Sequence, residues 1–408
     1  VLSDLSQESH NKTLGGATTG RWVMITLGLT GDLLPFTSVA AIARRQGHEV
    51  VFVSSPMGAV SLRRLGFEAR SVGPSYESYL RKYPRAVFNS RASGALSWVI
   101  ALRHLFEPWS RCAGPKLAGY LKDSDLVITH PLVRASYRSA IDAGVQLTTL
   151  QLYPSLSRAG FSGFFEGQND SAIAHDLLSM LQDAPMGEET SLWDYWDLFP
   201  SLTLAEPALG SAFNLSAPFV GFPLGTATHV LLDEECSEFV RRGAGSLVLV
   251  CNGTHTATLR RRAVSELAHA CRTIGLSTLV LGDTPAGFVG ERHILARPFI
   301  PLAAVEPRPL AAVHHCGAGT MRAISGLGIP SIAVPGPFDT TWNARAFRDL
   351  CLLEVSEEPL RGPSAATRLA TRLEVIGAAD RGAVFARAQD LLVPDAAREI
   401  LSALEAIV

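Results

Sequence analysis

Short, nearly all-apolar runs recur along this chain, each followed by a longer segment with apolar residues every three or four positions. Trp22-Val-Met-Ile-Thr-Leu27 reads as a strand. Phe36 to Gln46, with Val39, Ile42 and Ala43 in helical register, reads as the helix that follows. Gly47 stops it, and Glu49 to Val53 is the next strand. The connections are short, so these strands are predicted to be parallel. The alternation continues with the strand Leu126-Val-Ile-Thr129, a helix over Ala135 to Ala143, and a strand from Val145 to Leu150. Residues 155–200 break the rhythm and read as an insertion of loops and helices, after which Leu202-Thr-Leu204 and Phe219-Val220 resume as strands. A second series begins near residue 245, with strands at Ser246 to Val250, Thr278 to Leu281, His293 to Leu295, Ala311 to His314 and Ser331 to Val334.

Strands this apolar are predicted to be covered by helices on both faces. The chain has 408 residues, which suits two domains of about 180–200 residues each. The expected division is a flexible polar leader at 1–20, a first domain at 21–220, a linker at 221–230, a second domain at 231–384, and a C-terminal helix at 385–408 that crosses back to the first domain. The fold class is α/β, with two doubly wound, Rossmann-like domains facing each other across a cleft. In such sheets ligands bind beyond the carboxyl ends of the strands.

Charge narrows the partners. Lys and Arg number 36 against 38 Asp and Glu, a net charge of −2. That balance carries no electrostatic footprint for nucleic acid or an anionic membrane, so any bound anion must be held locally. The six cysteines are scattered without a Cys-x-x-Cys pair, and read as reduced thiols. No apolar run approaches the roughly 18 residues of a membrane span. A cytoplasmic monomer or homodimer is expected.

The richest chemistry lies in Val313-His-His315-Cys-Gly317-Ala-Gly319-Thr320, where a strand ends in two histidines, turns through small residues and enters a helix. The glycines let backbone approach a ligand closely, and the free N–H groups of a helix start face it. This is a way to bind a pyrophosphate, with His315 donating a hydrogen bond to it. The alternative is a tight strand–helix turn whose histidines satisfy backbone groups. About 20 residues on, Pro335-Gly-Pro-Phe-Asp339-Thr-Thr-Trp-Asn343-Ala344 follows the next strand. Its carboxylate and amide suit sugar hydroxyls, although helix capping by Asp339 would also explain the residue.

The segment from Arg297 to Leu353 resembles the donor-binding signature of family-one glycosyltransferases at His314, His315, Gly317, Gly319, Thr320, Pro330, Pro335, Asp339, Asn343 and Ala344. Arg297-Pro-Phe299-Ile300-Pro301 is similar to the stretch that meets the nucleotide base, and Gly253-Thr254 to the turn facing the phosphates. In the first domain, Gly31-Asp32-Leu-Leu-Pro35 and Gly47-His48-Glu49-Val50 look like the family's opening motifs. The resemblance implies a GT-B fold and an inverting transfer from a UDP- or dTDP-sugar co-substrate, with no metal and no other cofactor. It places the donor against Gly31, Thr254, Phe299, Ile300, His315, Gly317, Ala318, Gly319, Thr320, Asp339, Thr340 and Asn343. Two positions depart from the pattern. Cys316 stands where the family has a glycine or another small residue, and Thr340 replaces the Gln that contacts the sugar, which leaves room for a deoxy- or aminosugar.

Inverting transfer needs a base for the acceptor hydroxyl. Asp32 is the candidate, with His130, at the end of its strand, as the partner that shares the proton; a helix cap and a solvated loop histidine are the simpler readings. A small-molecule acceptor in secondary metabolism, attacking through a hydroxyl or an amine, is expected. Tyr76, Tyr79, Tyr83, Trp109, Phe164, Phe165, Trp193, Tyr195 and Trp196 could line its pocket, or simply be core. Rival functions are a non-catalytic nucleotide-sugar-binding auxiliary protein of the same fold and a sugar-nucleotide epimerase. A nicotinamide-dependent dehydrogenase is disfavoured because Gly28-Leu-Thr-Gly31-Asp32-Leu lacks a third glycine.

Overall fold

The computed structural model describes residues 19–27, 30–75, 99–152, 179–180, 191–209, 218–223, 232–252, 261–282, 292–335, 339–356, 362–378 and 381–407. The leader up to residue 18, linker residues 224–230, Gly28, Gly253, Thr254 and the aromatics Tyr76, Tyr79, Tyr83, Phe164 and Phe165 lie outside the described residues.

Two six-stranded parallel sheets organise the chain. The first contains β1 (Arg21–Ile25), β2 (Glu49–Ser54), β3 (Glu68–Ser71), β4 (Leu126–Thr129), β5 (Gln146–Gln151) and β6 (Ser201–Thr203), in the order β3-β2-β1-β4-β5-β6. The second contains β7 (Leu247–Cys251), β8 (Ser277–Leu281), β9 (Ile294–Arg297), β10 (Ala311–His314), β11 (Ser331–Ala333) and β12 (Glu354–Val355), in the order β12-β11-β10-β7-β8-β9. Counted from its own first strand, the second sheet repeats the order of the first. Each sheet reverses its winding between its first and fourth strands, β1 with β4 and β7 with β10. That switch point opens the crevice where ligands bind in doubly wound sheets.

Burial on both faces explains the apolar runs. Along β1, Val23 and Ile25 join one core cluster while Trp22 and Met24 join another on the opposite face. Along β7, Val248 and Val250 face one cluster, and Leu247, Leu249 and Cys251 the other. Alternate side chains of a strand point to opposite faces, so a strand between two helical layers has no polar side. Two strands escaped the apolar criterion. β3 (Glu-Ala-Arg-Ser) is a sheet edge with only Ala69 buried, and β12 is a two-residue edge. Phe219 forms one isolated bridge to Thr203 rather than a strand.

Five helices position the site. Helix α1 (Thr30–Arg45) begins six residues before the expected Phe36, so Gly31 and Asp32 lie inside its first turn. Pro35 sits within it and forgoes one backbone hydrogen bond. The hydroxyls of Thr37 and Ser38 both bond to the Leu34 carbonyl. In the second domain, α2 (Ala318–Gly326) follows β10 and α3 (Thr340–Asp349) follows β11. The expected single C-terminal helix is two, α4 (Arg381–Leu391) and α5 (Ala396–Glu405). Pro394 lies at the break, and Asp395 caps α5 by accepting the Arg398 N–H. Ala388 and Leu392 pack with Met321 and Phe347 of the second domain. Ile400, Leu401 and Leu404 pack with Trp22, Phe36 and Val39 of the first. The chain therefore crosses back between residues 392 and 396. Among the described residues no helix is long and apolar enough to cross a membrane.

Candidate functional site

The second-domain half of the site grows from the end of β10. His314 is fully buried; its Nδ1 accepts the Cys316 N–H at 3.2 Å, and its Nε2 lies 3.1 Å from the Ser331 hydroxyl. Burial pushes its pKa down to about 3, so it is a neutral clip that shapes the turn. His315 points the other way. Its Nδ1 lies 3.4 Å from the Cys251 carbonyl oxygen at the end of β7, a contact that requires a proton on Nδ1. Burial lowers its pKa as well, with the Cys251 contact opposing. The Nε2 of a neutral His315 therefore carries the lone pair. It lies directly over Gly317, where an added Cβ would come within 2.5 Å of it.

Gly317 is the N-cap of α2 and brings no side chain to cap it. Helix geometry leaves the N–H groups of Ala318, Gly319 and Thr320 without intrahelical partners. These residues are half-buried, and the positive end of the helix dipole lies beside His315. Cys316, which replaces the usual small residue, adopts φ 67°. A non-glycine residue there pays about 1–2 kcal/mol, which explains why a glycine suits the position. The Cys316 side chain is fully buried against Met321, and burial holds its thiol well above its usual pKa.

Asp339 and Asn343 tie this turn to α3. The Asn343 side-chain nitrogen donates to the Cys316 carbonyl at 3.1 Å and also to the Asp339 carboxylate. Asp339 occupies the N-cap position of α3 but makes no side-chain cap hydrogen bond, so helix capping does not explain it. It is only 5% exposed. Desolvation, with a smaller contribution from the charge of Asp32, raises its pKa to about 7 despite the Asn343 hydrogen bond. Thr340 is buried beside it. Of the expected base-contacting pair, Ile300 is buried in a core cluster while Phe299 is 54% exposed. Arg297 is held by Asp233 and Glu235 on the surface.

The first-domain half lies at the β1/β4 switch point. Asp32 is 5% exposed in the first turn of α1, where the helix end favours its anion. His130 follows β4 directly and is fully enclosed. Its Nδ1 accepts the Leu132 N–H at 3.2 Å, and its ring stacks on Phe106, the last residue of a single π-helical turn. Burial pushes its pKa down to about 3. It is thus a neutral imidazole with its proton on Nε2, a hydrogen-bond donor rather than a proton acceptor. The turn after it is braced by Tyr137 and Trp196, which both donate to the Pro131 carbonyl. Trp109, Trp193, Tyr195 and Trp196 are core residues.

The halves meet. Asp339 in the second domain feels the charge of Asp32 in the first. Ala318 packs on the first-domain cluster, and Phe222 approaches Gly319 closely. Trp342 of α3 joins the cluster that contains Trp193 and Phe106. Trp342 was not singled out from sequence; its position between Asp339 and Asn343 was the available signal. Among the described residues no three His, Cys, Asp or Glu side chains converge as a metal site.

The fold is shared with known proteins. No family model matches the sequence. An uncharacterized protein of Mycobacterium bovis is 21% identical over 340 residues, 76% of this chain and 79% of its own length. The UDP-N-acetylglucosamine–N-acetylmuramyl-(pentapeptide) pyrophosphoryl-undecaprenol N-acetylglucosamine transferase of Lactiplantibacillus plantarum is 31% identical over 122 residues, 28% of this chain and 33% of its own. Solved structures align over nearly the whole chain. Arabidopsis thaliana UGT89C1 complexed with UDP has a TM-score of 0.68 at 14% identity, covering 95% of this chain and 99% of its own. Spinosyn forosaminyltransferase SpnP has a TM-score of 0.67 at 15% identity, covering 95% and 100%. The Streptomyces sp. SF2575 glycosyltransferase SsfS6 with thymidine diphosphate has a TM-score of 0.61 at 18% identity, covering 94% and 99%. The chain has the GT-B glycosyltransferase fold.

Proposed function

We propose that this protein is an inverting glycosyltransferase that moves a sugar from a UDP- or dTDP-sugar to a hydroxyl of a small acceptor. The observation that carries the reading is the pairing of an uncapped helix start beside His315 in one domain with buried Asp32 in the other. We read the first as the diphosphate site and the second as the base beside the sugar. Neighbours of the same fold bound to UDP and to thymidine diphosphate support the nucleotide class.

The steps follow from the residues. The N–H groups of Ala318, Gly319 and Thr320 take the diphosphate and stabilise it as it leaves. His315 adds a donor once its Nε2 is protonated against the phosphate. Asp339, kept in place by Asn343, takes sugar hydroxyls together with Thr340. Asp32 removes the acceptor proton as the hydroxyl attacks the anomeric carbon from the face opposite the diphosphate. Bound acceptor displaces water from Asp32, and the nearby Asp339 charge disfavours its anion; both make it a stronger base. His130 donates its Nε2 proton as a hydrogen bond at the acceptor end.

The experiment is a thermal shift with UDP, thymidine diphosphate, GDP and NAD, followed by transfer assays with the sugar nucleotide of the base that binds. A nucleotide at 100 times its Kd adds about 2.7 kcal/mol of stability. Stabilisation by UDP or thymidine diphosphate alone, with transfer to an acceptor, is the expected result. Binding without turnover on any acceptor would favour an auxiliary protein, and epimer formation from donor alone an epimerase.

A further inference from the structure

The two crossings between the domains meet at one buried ion pair. Glu206 belongs to the first domain, three residues past β6, and is nearly fully buried. Its Oε1 accepts the N–H of Phe222, on the chain leaving that domain, at 3.4 Å. Its Oε2 accepts the N–H of Val393, on the chain returning to it, at 2.7 Å. Arg322 comes from α2 of the second domain. Its Nε lies 2.7 Å from Glu206 Oε1, and its Nη2 donates to the Val393 carbonyl at 2.8 Å. One carboxylate and one guanidinium thus bind both crossings and both domains.

The surrounding glycines are shaped to this node. Gly221 has φ 79°, and a Cβ on it would come within 2.6 Å of Val393, so the two crossings lie against each other. A Cβ on Gly326 would come within 2.7 Å of Arg322 Nη1, so that glycine gives the guanidinium room to fold back along α2. A buried ion pair contributes little net stability over an apolar pair.

We infer that Glu206 and Arg322 form the pivot of domain closure, with Arg322 a positioning residue that holds the diphosphate-facing end of α2 in register with the first domain. The physical reason is a short lever. Ala318 lies one helical turn from Arg322, about 6 Å along the axis, so a rotation of about 10° at the pivot moves the helix end by only about 1 Å. More distant parts of the second domain sweep further. The helix start, and Asp339 tied to it through Asn343 and the Cys316 carbonyl, then keep their place against the first domain while the rest closes, and the diphosphate is not dislodged. This catalytic consequence rests on the transferase reading; the pivot itself does not.

The test separates the two. Nitroxides are placed on Arg63→Cys and Arg272→Cys of the full chain, with exposed Cys112 and Cys351 changed to serine. Electron–electron resonance then gives the interdomain distance distribution without ligand. Arg322→Met and Glu206→Gln are compared with parent protein at temperatures where their circular dichroism is the same. A broader distribution in both variants is expected, with partial narrowing in Arg322→Lys. Unchanged distributions in both would overturn the pivot, whatever the enzyme does. In transfer assays, Arg322→Met is expected to lower kcat at least tenfold while UDP binding by calorimetry changes less than threefold. Equal loss in both would overturn the positioning role. If the parent protein binds no nucleotide, the transferase reading fails and the distance measurement still decides the pivot. Where Arg322→Met does not fold, Glu206→Gln and Arg322→Lys carry the comparison, because each leaves a polar partner at the node.

Discussion

Nε2 of His315 occupies the space in which a side chain on Gly317 would begin: a Cβ there would approach it to 2.5 Å. The glycine is therefore required by its neighbour, since its own φ of −64° is open to any residue. Gly317→Ala should fold normally but displace the imidazole. UDP or thymidine diphosphate affinity should fall about tenfold or more, the scale of one charge-assisted hydrogen bond. Calorimetry checks this, and unchanged affinity would remove His315 from the diphosphate site.

His315 should take up a proton when the diphosphate binds. In the free protein Nδ1 faces the Cys251 carbonyl and burial lowers the pKa, so the ring is neutral near pH 7. Phosphate oxygens beside Nε2 favour the charged form and raise that pKa. Nucleotide affinity should fall as pH rises from the lowered pKa of the free ring to the raised pKa of the bound one. Binding heats should vary with the ionisation enthalpy of the buffer, and this dependence should vanish in His315→Gln. Buffer-independent heats in the parent would exclude the proton uptake.

Asp339 costs stability when ionised. Its folded pKa, raised to about 7, lies above the ordinary carboxylate value, so folding favours its protonated form. That contribution is full at acid pH and is lost as pH rises through 7. Asp339→Asn keeps an oxygen for Asn343 but removes the charge. It should melt higher than the parent at pH 8, with the gap shrinking toward pH 5, while transfer activity drops sharply. A pH-independent difference in Tm would mean that Asp339 is ionised throughout.

Asp32→Asn should lower kcat by about 10²- to 10⁴-fold, the usual contribution of a general base. Nucleotide binding should stay within a few-fold of the parent, because the helix start and His315 are in the other domain. Near-parental turnover with donor still bound would rule Asp32 out as the base.

Much of the fold was legible because both sheets are covered on both faces. The interior strands announce themselves as apolar runs, and β4 and β10 lie where their residues indicated. Two of the four edge strands, β3 and β12, did not. Glu68-Ala-Arg-Ser71 has one buried residue and so carries no apolar run. Helix α1 was read as starting late because Gly31 and Pro35 look like punctuation, yet tertiary packing of Leu33 and Phe36 carries the helix through them. In the site, the glycines and histidines after β10 were visible as types. The use of each was not: His314 and His315 are adjacent, and only burial and partners distinguish a ring clipped to the Cys316 N–H from one whose Nε2 lies over the helix start.

Residue order alone determined two doubly wound halves and the chemistry available at each switch point, because strand periodicity, turn glycines and helix starts act over a few neighbouring residues. Tertiary structure decided what those residues do. Asp339, over three hundred positions from Asp32, feels its charge only because the two domains meet in the fold. Glu206 meets Arg322 and Val393 only because the chain crosses twice at the same place. Such pairings depend on distance and desolvation, and both are properties of the folded chain.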